Sequence, residues 1–229
     1  MMISIIIPTY NESKNIPGLL REIERELSAS GAGSFEILVM DDDSPDGTAQ
    51  VVNGLNDPVV RAVNRRGRPK GLSASVIDGF REAKGDMLGV MDADLSHPPA
   101  VLPKLIRAVQ EGENLAVASR YVPGGGIRNW PLKRVIASKA ACWMARPFTR
   151  VKDATSGFFV LRRSILDGVA LDALGFKIGL EVIVKSRHGG KIREIPYVFT
   201  DRRQGQSKFG LYIIYCYLKQ LASFLKRSL

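Results

Sequence analysis

The run Met91-Asp92-Ala93-Asp94-Leu95-Ser96-His97-Pro98-Pro99 sets two carboxylates two residues apart, directly after the apolar segment Met87–Met91. Residues i and i+2 of an extended chain project to the same side, so Asp92 and Asp94 can face one point at a strand end. Two carboxylates so placed, with substrate phosphates completing the shell, are the usual protein share of a Mg²⁺ or Mn²⁺ site in phosphate chemistry. The competing reading is a solvated loop in which an Asp caps the helix that Pro98-Pro99 opens.

The elements that must position these acids read as alternating strands and helices. Ile3–Ile7, Phe35–Met40, Val59–Val63, Met87–Met91 and Leu115–Ser119 are continuous apolar runs of strand length. Ile16, Leu19, Leu20, Ile23 and Leu27 share one helical face within Ser13–Ser28. Leu72, Val76 and Phe80 mark a second helix, and Leu102, Leu105, Ile106 and Val109 a third. Continuous rather than alternating strands imply burial on both faces, hence an α/β fold with a mostly parallel central sheet flanked by helices. Ligands of such sheets sit at the carboxyl ends of the strands. The polar clusters Thr9-Tyr10-Asn11-Glu12, Asp41-Asp42-Asp43-Ser44 and the paired acids all fall there.

The 229 residues suffice for one domain with a full core. Cys142 and Cys216 are the only cysteines, which excludes a disulfide framework. Neither a G-x-G-x-x-G after the first strand nor a G-x-x-x-x-G-K-[ST] occurs, so dinucleotide and P-loop chemistry are unsupported. The N-terminus reads as a strand rather than a signal peptide, and no apolar run is long enough to span a bilayer. The formal net charge of +10 is unevenly placed: residues 1–119 carry −5, 120–163 carry +9 and 164–229 carry +6. An acidic half joined to a basic one suggests a cation site facing an anionic partner. Nucleic acid is a poor candidate for that partner, since the basic region has no RNP, zinc or repeat motif and the acidic half would repel phosphates.

PTYNE (Pro8 to Glu12), DDDSPDGT (Asp41 to Thr48), KGLSASV (Lys70 to Val76), DADLSHPP (Asp92 to Pro99), SRY (Ser119 to Tyr121), SGFFVLRR (Ser156 to Arg163) and GQSK (Gly205 to Lys208) occur in this order. Together they resemble glycosyltransferase family 2. DADLSHPP, NWPLKR (Asn129 to Arg134) and DRRQGQSK narrow the resemblance to the dolichol- or polyprenol-phosphate mannose synthases. The resemblance implies a GT-A fold over residues 1–209, with a nucleotide-sugar and metal half (1–119) and an acceptor half (120–209), followed by a C-terminal amphipathic helix (210–229).

It also implies roles for individual residues. Pro8, Tyr10 and Glu12 would line the nucleotide pocket, and Asp42 would accept hydrogen bonds from the guanine edge near Met40. Asp92, the backbone at Ala93, and Asp94 would hold the diphosphate and the metal. Ser96 stands where many relatives carry Gln, and would reach the metal directly or through water. Arg120, Arg134 and Ser138 would bind the lipid phosphate, while Arg202 and Lys208 would neutralise the donor diphosphate. The implied reaction is inverting transfer of mannose from GDP-mannose to a polyprenyl (dolichyl) phosphate; a UDP-sugar donor is the alternative. A phosphate monoester has a second pKa near 6, so the acceptor is a dianion at neutral pH and needs no general base. His97 is therefore read as structural, and Glu181 as a brace or a surface acid.

The acceptor lives in a bilayer, so the protein is expected to work peripherally on an anionic membrane at its cytosolic face, alone or with a membrane-anchoring subunit. Trp130–Phe148 mixes Trp130, Trp143, Met144 and Phe148 with Lys133, Arg134, Lys139 and Arg146. The C-terminal helix sets Leu211, Ile214, Leu218, Leu221 and Leu225 on one face. Helices of this kind lie in the headgroup plane, although both segments could instead pack on the sheet.

Overall fold

The apolar runs become strands β1 (Ile3–Thr9), β2 (Phe35–Asp41), β3 (Val60–Asn64), β4 (Met87–Val90) and β5 (Leu115–Ser119) in the computed structural model, which describes residues 1–172, 176–200 and 211–225. Four more strands follow: β6 (Gly126–Arg128), β7 (Phe159–Arg162), β8 (Ile192–Pro196) and β9 (Val198–Thr200). The main sheet has the order β3-β2-β1-β4-β7-β5-β8, and β6 pairs with β9 in a small second sheet. All pairings in the main sheet are parallel except those of β7, which runs antiparallel to both β4 and β5.

The expected apolar faces are buried. Helix α1 (Ile16–Ser30) buries Ile16, Leu19, Leu20, Ile23 and Leu27, and ends at Gly31, whose φ of 64° supplies the left-handed cap. Helix α2 (Thr48–Asn53) is short. Helix α3 (Leu72–Glu82) packs close over β1, because a Cβ on Gly79 would meet Ile6 Cγ2 at 2.5 Å. Helix α4 (Leu102–Gln110) buries Leu102, Leu105, Ile106 and Val109. Each such Leu or Ile contributes roughly 1.5–3 kcal/mol of transfer free energy.

The second half departs from this pattern. Helix α5 (Leu132–Met144) has Cys142 as its one fully buried residue. Helix α6 (Ile178–Lys185) is buried over Ile178–Ile183. Helix α7 (Leu211–Leu225) packs Tyr217, Leu221 and Phe224 against Ala145, Ala154 and Leu180. The expected single leucine face of α7 splits: Leu221 turns inward, while Ile214, Leu218 and Leu225 stay exposed. Among the described residues no helix is long and apolar enough to cross a membrane.

Candidate active site

Strand order reverses between β1 and β4, the topological switch point at which open α/β sheets bind ligands. The three polar clusters therefore emerge side by side, from the carboxyl ends of β2, β1 and β4.

Asp92 and Asp94 leave β4 in a loop that positions them tightly. Leu95 adopts φ 62°, and this turn brings Ser96 back onto Asp94. The Ser96 backbone N–H and hydroxyl both donate to Asp94 Oδ1, at 3.1 and 2.5 Å. Ser96, expected as a metal ligand, is thus engaged with Asp94, and its hydroxyl steadies that carboxylate. His97 is buried and accepts the Asp92 N–H on Nδ1 at 3.0 Å. A neutral ring then carries its proton on Nε2, which lies 3.8 Å from Asp92 Oδ2. The imidazole stacks on Phe158 with centroids 4.9 Å apart. His97 is a structural support of Asp92.

No group of three or more His, Cys, Asp and Glu is assembled for a metal among the described residues. Two carboxylates alone match a hard cation whose remaining positions go to phosphate oxygens and water. The donor set thus fits Mg²⁺ or Mn²⁺ and does not fit a self-sufficient protein site.

On the side expected to hold the nucleotide, Tyr10 is exposed, with Lys70 Nζ over its ring at 5.6 Å from the centroid. Glu12 accepts from Asn15 Nδ2 at 2.8 Å, and Pro8 is half-buried. Asp41 accepts the Ser44 N–H at 3.0 Å and the Ser44 hydroxyl at 2.5 Å, which hold the loop's turn. Asp46 accepts from Thr48 and Ser13. Burial pushes Asp46 up, yet these hydrogen bonds outweigh it and hold the carboxyl below its usual range.

Two residues on this side differ from expectation. Met40 is completely buried in the core between sheet and α3, because its β2 side chain points to the helix layer, so it cannot line the pocket. Asp42 forms a buried ion pair with Arg65 Nη1 and also accepts from Ser75 Oγ and the Gly71 N–H, each at 2.8 Å. A carboxylate offers about four lone-pair sites. Asp42 therefore keeps roughly one for a base, not the two that a guanine edge would use. Arg65, itself 1% exposed, also binds Asp78 at 3.0 Å and the Pro69 carbonyl at 2.9 Å. Sequence reasoning passed over Arg65 because a basic loop gives no sign of which arginine turns inward.

On the acceptor side, Arg120 is buried and held by Asp153. Its Nε and Nη2 donate to the two carboxylate oxygens at 2.7 Å each, and Nη2 also reaches Thr155 Oγ1 at 3.1 Å. Burial would lower the guanidinium, but Asp153 more than offsets that and raises it, so the charge is permanent. Arg120 stands 5.4 Å from the Trp130 ring centroid, and Arg134 stacks on the same indole at 4.0 Å. Arg134 and Ser138 lie one turn apart on α5, facing Tyr121 and Trp130. Trp130 Nε1 is buried without a hydrogen-bond partner among the described residues. Arg202 and Lys208 lie outside the described residues. Glu181 is a brace and not a surface acid: it is 1% exposed and accepts from the Asp172 N–H, Lys185 and Gln220.

A mostly parallel seven-stranded sheet flanked by helices, with paired acids at its switch point, places the structure in the GT-A class of folds. The structure superposes on mannosyl-3-phosphoglycerate synthase from Rubrobacter xylanophilus with a TM-score of 0.75 at 20% identity, covering 100% of this chain and 75% of that one. Residues 4–169 match Glycosyl transferase family 2, and the chain belongs to that family. It is 44% identical over 230 residues to a dolichol-phosphate mannosyltransferase of Pyrococcus furiosus, covering 99% of this chain and 64% of that protein. The namesake protein of Saccharomyces cerevisiae is 37% identical, with 95% and 85% covered.

Proposed function

We propose that this protein transfers mannose with inversion from GDP-mannose to a polyprenyl or dolichyl phosphate. The observation that supports the reading is the 44% identity, over nearly the whole chain, to a relative named dolichol-phosphate mannosyltransferase. The arrangement of charge supports it: acids at the β4 end for a metal-bound diphosphate, and arginines beside them for a second phosphate.

Asp92 and Asp94 would hold a divalent ion, whose chemistry there would be to neutralise charge on a diphosphate leaving group. Tyr10 and Glu12 seat the nucleotide, and Asp42, fixed by Arg65, accepts one base N–H. His97 and Ser96 keep the two acids in register. Arg134 and Ser138 bind the acceptor phosphate, while Arg120, clamped by Asp153, offers its remaining guanidinium nitrogen beside them. The acceptor arrives as a dianion and attacks the anomeric carbon in line, so the protein's work is orientation and electrostatic stabilisation. Reaction takes place at a membrane surface met by α5 and α7.

Incubation with GDP-mannose or UDP-glucose, a short polyprenyl phosphate and Mn²⁺, followed by mass analysis, tests the reading. Polyprenyl phosphomannose is the expected product. Product from UDP-glucose alone would replace it with the UDP-sugar reading, which the single open lone pair of Asp42 would accommodate.

A further inference from the structure

Lys177 is a half-buried cation that none of the assignments above uses. It sits at the start of α6, where the chain is pressed against the loop that joins the two halves of the site. A Cβ on Gly179 would meet the Ser156 carbonyl at 2.3 Å, so only glycine lets α6 come this close. The contacted loop runs from Asp153 and Thr155, which hold Arg120, to Gly157, where an added Cβ would lie 3.7 Å from Asp92 Oδ1. The amine of Lys177 is thereby delivered between the acceptor arginine and the paired acids.

Its surroundings leave it short of partners. An ammonium has three N–H donors. Among the described residues its one hydrogen bond goes to the Thr155 carbonyl, at a long 3.4 Å. The residue is half-buried, but the amine itself is enclosed by protein. Enclosure lowers its affinity for a proton, Arg120 lowers it further, and Asp153 and Asp92 oppose both. A buried charge with one weak bond is costly unless an anion completes it. The backbone here is held firmly, since Gln220 Nε2 on α7 donates to the Lys177 carbonyl at 3.2 Å and to Glu181 Oε2 at 2.8 Å.

We propose that Lys177 is a further acceptor-phosphate ligand, binding the lipid phosphate on the side that faces the donor. The proposal rests on the acceptor reading given above and extends it. Position favours the acceptor over the donor. The Lys177 amine meets the Thr155 carbonyl, on the same loop whose Asp153 and Thr155 side chains hold Arg120. A cation placed here also screens the acceptor dianion from the like-charged diphosphate it must approach.

Binding of farnesyl phosphate and of GDP with Mn²⁺ is measured by calorimetry on the full chain, alongside thermal melts, for Lys177→Met and Lys177→Arg. Lys177→Met should weaken farnesyl phosphate binding about tenfold or more, the effect of a lost charged hydrogen bond, and leave GDP affinity unchanged. Lys177→Arg should recover part of the loss. The Met variant should melt at the same or a higher temperature, because it removes an under-satisfied buried charge. A fall in GDP affinity, unchanged farnesyl phosphate binding, or a marked drop in melting temperature would each overturn the assignment. Binding is read without turnover, so a wild-type protein that fails to transfer mannose would count against the proposed reaction and not against Lys177.

Discussion

Asp153 grips Arg120 through two parallel hydrogen bonds of 2.7 Å, in a position where the carboxylate is 0% exposed. The arginine proposed to face the acceptor is thus fixed before any anion arrives. Asp153 is in turn anchored by its own backbone, whose N–H donates to Glu194 at 3.0 Å.

Removing one member of a buried pair leaves the other uncompensated, at a cost of about 3–5 kcal/mol. Asp153→Ala should therefore destabilise the protein by that amount in urea unfolding. Asp153→Asn, which keeps one acceptor and the shape, should fall below it. Equal stability of all three forms would show that Arg120 is solvated rather than buried.

Ser96 donates twice to Asp94 Oδ1, so under the proposed metal site it would act through Asp94 and not by direct contact. Loss of a hydrogen-bonding support typically costs 10–100-fold in metal affinity, roughly, whereas loss of the ligand itself costs far more. Mn²⁺ titration in the presence of GDP should show Ser96→Ala weakened within that range, Asp94→Ala without measurable binding, and both with unchanged melts. Transfer by the wild type should stop in EDTA. If Ser96→Ala matched Asp94→Ala, Ser96 would be a ligand in its own right.

Stability should decline in acid through Asp78 and Asp46. Burial pushes Asp78 up, but hydrogen bonds and charge from Arg65 and Arg68 outweigh it, so its folded pKa lies below 3.8. Asp46 is lowered by Thr48 and Ser13 in the same direction. A lowered folded pKa contributes stability that is complete above 3.8 and disappears as pH falls through the folded value. Denaturant midpoints should therefore be flat above that pH and fall beneath it, and Asp78→Asn should shrink the acid slope. An unchanged slope in the variant would remove Asp78 from this account.

Under the proposed nucleotide site, base selectivity would depend on Asp42. With Arg65, Ser75 and Gly71 occupying most of its carboxylate, one base N–H can bond there, and a single buried polar group left unpaired is worth on the order of 1–3 kcal/mol. GDP should bind more tightly than UDP by no more than this, and Asp42→Asn should narrow the gap. Equal affinities in the wild type would point to the UDP-sugar alternative.

The parallel half of the fold was legible because its signal is local. Continuous apolar strands and period-3.6 helices gave β1 to β5, α1, α3 and α4, with bounds within a few residues. The antiparallel insertion of β7 between β4 and β5 was not legible, since a buried apolar strand reads the same in either direction. At the site, the acids were legible from their spacing and position at a strand end. Other contacts were not: Arg65 on Asp42, Asp153 on Arg120 and Lys177 on Thr155 pair residues of high sequence separation that no periodicity encodes. Met40 failed as a pocket residue for a related reason, because membership of a strand end does not settle which face a side chain takes.

The exposed apolar residues of α5 and α7 lead to the last prediction. Leu132, Ile136 and Trp143 are 73%, 59% and 74% exposed, and Ile214, Leu218 and Leu225 are 41%, 48% and 57% exposed. These are apolar side chains that the core does not use, on two helices joined through Tyr217, whose hydroxyl donates to the Ala141 carbonyl. Exposed Lys133, Lys139, Arg146 and Lys219 surround them. An apolar strip rimmed by cations fits an anionic lipid surface, where each basic residue adds about 1 kcal/mol and the apolar groups enter the headgroup layer. Co-sedimentation with phosphatidylserine vesicles should be strong at low salt, weaken as salt rises, and be negligible with neutral vesicles. Ile136→Glu with Trp143→Ala should reduce it several-fold without lowering the melting temperature, because neither side chain is part of the core. Equal binding to neutral vesicles, or none to anionic ones, would assign this strip to a membrane-anchored partner subunit instead.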